Sequence, residues 1–106
     1  FQFVYKNGKS YANKYLVMYV KENGLGKNRI GISVSKKVGN SVVRHRVTRL
    51  IRESYRLHEN IFNSGLDIVI VGRPGAATVG YEEVESALLH LGKLHHIIKV
   101  FVYWDE

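Results

Sequence analysis

A mixed α/β (α+β) fold is predicted by three features of the sequence. Two segments alternate with the period of a strand, a third short segment is apolar on both faces, and two longer segments repeat apolar residues with the period of a helix. At 106 residues the chain is long enough for one modest core, so a single domain over residues 1–106 is expected.

The elements follow in chain order. FQFVYKNGKS breaks at Asn7-Gly8, a turn-forming pair. In it, Phe1 and Tyr5 suit either packing beneath a short N-terminal helix or stacking under unpaired bases. Over residues 15–22, Leu16, Met18 and Val20 oppose Tyr15, Val17, Tyr19 and Lys21, which reads as a half-buried strand. Over residues 29–36, Ile30, Ile32 and Val34 share one face, while Gly31, Ser33 and Ser35 leave the other small and polar. The Asn- and Gly-containing turn at residues 23–28 predicts that these two strands form an antiparallel hairpin. Residues 67–72 are apolar on both sides, as in a central strand covered on each face.

Between the second and third strands lies KKVGNSVVRHRVTRLIRESYR. Gly39-Asn40-Ser41 supplies a turn and an N-cap, so a helix should begin there, with Asn40 as a capping residue. At 100° per residue, Val43, Val47, Leu50, Ile51, Ser54, Leu57 and His58 form its apolar face. Arg44, His45, Arg46, Thr48, Arg49, Arg52 and Arg56 sweep the opposite side. A second helix is expected over residues 81–95, with Val84, Ala87, Leu88, Leu91 and Leu94 as its core stripe. Glu82, Glu83 and Glu85 open it, where the helix dipole favours anions.

The charge narrows the function. Sixteen Lys and Arg against nine Asp and Glu give a net charge of +7, and the excess favours a polyanionic partner. Five arginines lie on the first long helix with one acid, Glu53, so pairing at i+3 or i+4 accounts only for Arg49 or Arg56. Lys36 and Lys37 stand just before its N-terminus, where free backbone N–H groups make a phosphate seat. The adjacent Gly and Ser sheet face leaves room for a sugar-phosphate backbone, and Tyr19 on that face offers a stacking surface. No apolar run reaches the roughly 18 residues of a membrane span, and cytoplasm is the expected compartment. There is no cysteine, which excludes disulfides and thiolate metal sites. His90 and His95 are spaced five apart, not three or four, and with His96 they read as surface or partly packed histidines, so no metal site is expected. No Ser-His-Asp arrangement, phosphate-binding Gly loop or dinucleotide fingerprint is present, and no catalytic residue is assigned.

ISVSKKVGNSVVRHRVTRLIRE resembles the signature of the bacterial ribonuclease P protein subunit, in which a strand ending Ser-x-Lys-Lys leads through Gly-Asn into a helix bearing Arg-Asn-Arg. FQFVYKNGKSYANKYLVMYV is similar to that family's N-terminal Phe-rich helix, Gly turn and first strand. LDIVIVGRPGA with YEEVESALLHL is similar to its last central strand and following helix. The likeness therefore covers nearly the whole chain. Two positions depart from the common pattern: His45 stands where Asn is usual, and Thr48 where Lys is common. The family also carries a longer basic stretch ahead of the position of Phe1, and the chain opens without Met, so an N-terminal extension is expected to be missing.

The resemblance implies a two-layer sandwich with a central mixed sheet of about four strands, a ribosomal-protein-like architecture and a left-handed βαβ crossover. It implies a monomeric protein within a ribonucleoprotein, partnered by ribonuclease P RNA and precursor tRNA and not by a membrane. The complex would remove the 5′ leader of precursor tRNA by Mg²⁺-dependent hydrolysis, with Mg²⁺ held mainly by the RNA and no cofactor held by the protein. Lys36, Lys37, Arg44, His45, Arg46, Arg49 and Arg52 would contact the catalytic RNA. Phe1, Tyr5, Tyr19, Ser33 and Ser35 would line the cleft for the leader. The alternative is a ribosomal or other structured-RNA-binding protein without a role in tRNA processing. A DNA-binding regulator lacks the short helix that would precede the arginine helix, and a protein-only nuclease lacks a carboxylate cluster for metals.

Overall fold

The computed structural model describes residues 2–99. Its elements run α1 (Gln2–Asn7), β1 (Lys9–Ala12), β2 (Leu16–Glu22), β3 (Arg29–Val34), α2 (Ser41–His58), β4 (Leu66–Gly72) and α3 (Tyr81–Leu94), with short 3₁₀ turns at Glu59–Ile61 and Pro74–Thr78. The four strands form one mixed sheet in the order β1-β2-β4-β3. β2 is antiparallel to both β1 and β4, whereas β3 runs parallel to β4 and reaches it through α2.

The register sorts the side chains onto two faces. Leu16 and Met18 on β2, Ile68 and Ile70 on β4, and Ile30 and Ile32 on β3 share the inner face, which carries the core. α2 and α3 cover it with Val47, Ile51, Tyr55, Val84, Leu88 and Leu91. The outer face carries Val17, Tyr19 and Lys21 from β2, Val71, Val69 and Asp67 from β4, and Ser33, Gly31 and Arg29 from β3. α1 packs against β2 and β4 and buries Val4.

Several details correct the sequence reading. β2 and β3 do not pair as a hairpin, because β4 lies between them. Only β4 is apolar on both faces, so it gains most from the centre, and residues 23–28 bridge the two strands on either side of it. Side-chain amides stitch that bridge: Asn23 donates to Asp67, and Asn28 accepts from the Leu66 N–H while donating to the Asn63 carbonyl. β1 is a further strand, exposed along its length, that alternation could not reveal. β3 ends at Val34, two residues before the expected boundary. Leu57 is 53% exposed and Leu94 is 36% exposed, so both apolar stripes stop one turn early, while Tyr55 joins the core. Asn40 caps α2 as expected, its side-chain oxygen accepting from the Val43 N–H at 3.0 Å.

Candidate nucleic-acid interface

Two surfaces meet along β3, the strand at one sheet edge. The first is the outer sheet face beneath α1. Phe3 and Val4 from the helix, with Arg29, Gly31, Asp67 and Val69 from the sheet, enclose a recess of about 380 Å³. Gly31 contributes no side chain, and Phe3 is 64% exposed at the rim. The Tyr5 ring meets Tyr19 edge-on, centroids 4.7 Å apart and planes at 67°. Tyr19 is therefore half-buried as one member of an aromatic pair, not an isolated platform. Ser33 lies on this face, half-buried. Ser35 does not: it lies past the end of β3, and its hydroxyl accepts from the Lys37 N–H at 3.3 Å, so it shapes the turn into α2. Phe1 lies outside the described residues.

The sequence reading missed a fixed ion pair at one end of the recess. Arg29 donates through Nε and Nη2 to both oxygens of Asp67, each at 2.7 Å, and Asn23 donates to the same carboxylate at 3.0 Å. The Arg29 bonds, then that from Asn23, bring the Asp67 carboxyl down from 3.8 to about 2. The partners are 38 positions apart, with no local motif to reveal them.

The second surface is the polar side of α2. Arg44, His45, Thr48, Arg52 and Ser41, with Ile32 and Val34 of β3, line a recess of about 400 Å³. Arg44 has its Nε buried without a hydrogen-bond partner. Thr48 is turned back on the helix, its hydroxyl donating to the Arg44 carbonyl at 2.9 Å. His45, Arg49, Arg52, Lys36 and Lys37 are exposed. Among the described residues only Arg29 and Arg56 form ion pairs with acids, and the His58 ring hydrogen-bonds Glu85. Arg56 pairs with Glu53 at 2.6 Å, which lowers the Glu53 carboxyl below its usual range. Among the described residues, then, no acid pairs with the cations of the Lys36–Arg52 stretch. Arg46 points elsewhere: its guanidinium donates to the Ala77 and Val79 carbonyls.

The histidines are structural or dispersed. His95 donates through Nε2 to the Met18 carbonyl at 2.8 Å, and burial pulls its pKa down. His90 contacts Asn13, and His58 contacts Glu85. Among the described residues no three His, Asp or Glu side chains gather as a ligand set for a metal ion. No helix among them is long and apolar enough to cross a membrane.

Comparison with known proteins agrees with this geometry. The sequence model of the Ribonuclease P family matches residues 1–95. The ribonuclease P protein component of Lachnoclostridium phytofermentans is 73% identical over 95 residues, spanning 90% of this chain and 82% of the relative. That of Alkaliphilus metalliredigens is 56% identical over 91 residues, spanning 86% and 82%. Among solved structures, the Staphylococcus aureus RNase P protein superposes with a TM-score of 0.84 at 34% identity, covering 92% of this chain and 90% of that one. The Thermotoga maritima RNase P protein does so with a TM-score of 0.80 at 31% identity, covering 87% and 88%. By sequence over nearly its whole length and by fold, the chain belongs to the ribonuclease P protein family.

Proposed function

We propose that the chain binds two RNAs at once, the catalytic RNA of ribonuclease P along the polar side of α2 and the 5′ leader of precursor tRNA on the outer sheet face. Membership of the family makes it the protein component of an endoribonuclease of tRNA processing. The observation that carries the division of labour is the contrast between the adjoining surfaces. One is a row of cations that pair with no acid among the described residues; the other is a recess with a small-residue floor, an aromatic rim and a self-neutralised ion pair.

Lys36, Lys37, Arg44, His45, Arg49 and Arg52 supply the phosphate contacts, the arginines with forked donors that match phosphate oxygens. Phe3, Tyr5 and Tyr19 offer ring surface to unpaired bases, while Gly31 and Ser33 let the strand approach the sheet. Hydrolysis would belong to the RNA, and Mg²⁺ held on it would supply Lewis-acid chemistry for water and for developing negative charge. The described residues offer no carboxylate set fitted to that ion. The protein's contribution is positional and electrostatic. It brings positive charge between two polyanions and lowers the Mg²⁺ needed to hold them together.

Reconstitution tests this reading. With bacterial ribonuclease P RNA, the protein should raise cleavage of precursor tRNA at low Mg²⁺, and rigorously RNA-free protein should cleave nothing. Cleavage by the protein alone would overturn it.

A further inference from the structure

We infer that Arg46, although it lies in the arginine motif, is a positioning residue for the RNA-binding face and not itself a phosphate ligand. The inference rests on the reading of α2 as the catalytic-RNA surface. Arg46 is half-buried, and its two terminal nitrogens donate to the Ala77 and Val79 carbonyls, 31 and 33 residues away. A guanidinium is the one side chain whose rigid fork can serve two backbone oxygens in this way.

What Arg46 grips is itself held. The Arg73 N–H donates to the Tyr15 carbonyl at 2.9 Å, and the Arg73 side chain donates to the Asn13 carbonyl at 2.7 Å. Gly75 runs so close to the Lys14 carbonyl that a Cβ would stand 2.9 Å from it. Asn13 in turn donates to the Ala87 carbonyl of α3 at 3.0 Å. A continuous set of directional bonds therefore runs from α2 through residues 73–79 to the β1–β2 turn and α3.

This matters because apolar packing is non-directional and tolerates small rotations of a helix about its axis. Val47 and Ile51 bury α2 against the sheet, and Asn40 fixes its first turn. Arg46 adds a polar anchor in the second turn, flanked by Arg44, His45 and Arg49. Its bond pair sets the direction in which those neighbours face the RNA.

The test compares Arg46→Lys, Arg46→Ala and Arg49→Ala for affinity toward ribonuclease P RNA across a salt series, at a temperature where circular dichroism shows each fully folded. A positioning role predicts that Arg46→Lys, which keeps the charge but loses the fork, weakens binding severalfold with the parent's salt slope. Arg46→Ala should weaken it further, again with the parent's slope. Arg49→Ala should make the slope shallower by roughly 0.7 to 0.9, the loss of one phosphate contact. Arg46→Lys at parent affinity, or a shallower slope for Arg46→Ala beside a shallower slope for Arg49→Ala, would overturn the positioning role alone. An Arg49→Ala protein indistinguishable from the parent would overturn the RNA-face reading and the inference with it.

Discussion

The side-chain oxygen of Asn40 accepts the Val43 N–H at 3.0 Å, closing the first turn of α2 beside Lys36 and Lys37. This cap is a structural bond next to the proposed phosphate seat, and the two roles separate by substitution. Asn40→Ala should cost about 1 kcal/mol of stability, as loss of an N-cap does. Asn40→Asp should keep that stability, because Asp caps equally well, yet weaken RNA binding by placing an anion beside the two lysines. Thermal unfolding together with RNA affinity checks both, and an Asn40→Asp protein binding RNA like the parent would remove phosphate from this turn.

The Asp67–Arg29 pair predicts a pH dependence. A carboxyl whose folded pKa lies below its unfolded value adds stability above the unfolded value and loses it as pH falls through the folded one. For Asp67 that window runs from 3.8 down to about 2. Asp67→Asn should therefore be less stable than the parent at neutral pH and should lose less stability between pH 5 and pH 2. Unfolding midpoints measured across this range test it; parallel curves for the two proteins would show that the pair does not couple to folding.

Gly8 controls how α1 reaches the sheet. A Cβ there would stand 2.7 Å from the Val4 carbonyl oxygen and 2.8 Å from that of Val20, both backbone atoms. Gly8→Ala must then lift α1 off the outer face. Overpacking of this kind costs about 1 to 3 kcal/mol, and affinity for precursor tRNA should fall more than affinity for mature tRNA. An unchanged melting temperature would show that the helix can shift freely.

How far the sequence announced this structure depended on the range of the interactions. The N-cap at Asn40, the extent of α2 and α3 and the burial of β4 follow from neighbours within a few residues, and all were legible. The neighbours of a strand were not. Alternation tells which way Met18 and Ile32 point, but not that β4 separates their strands. Lys9–Ala12 carries no alternation at all, being exposed throughout and held by pairing with β2 and by the Tyr11 ring meeting His95 edge-on.

The candidate site divides in the same way. The cationic side of α2 and the bare outer face of β3 were visible from period and charge. Arg46 falls in the polar arc of the helical wheel, and its backbone partners leave no signature in side-chain type. The Arg29–Asp67 pair joins two strands that touch only in the fold. By strand period Ser35 falls on the sheet face, because the alternation continues past Val34, where the backbone already turns.

The claim that the outer sheet face holds the leader is tested most directly by the ratio of holoenzyme affinities for precursor and mature tRNA in Tyr19→Ala and the parent. Tyr19 lies on that face opposite the core residues Leu16 and Met18, with its ring against Tyr5. Stacking of a base on such a ring contributes about 1 to 3 kcal/mol when measured by alanine substitution. The account predicts that Tyr19→Ala weakens binding of precursor tRNA with a leader of several nucleotides, while mature tRNA binds almost as before. Equal losses for the two RNAs would contradict it and place the leader elsewhere.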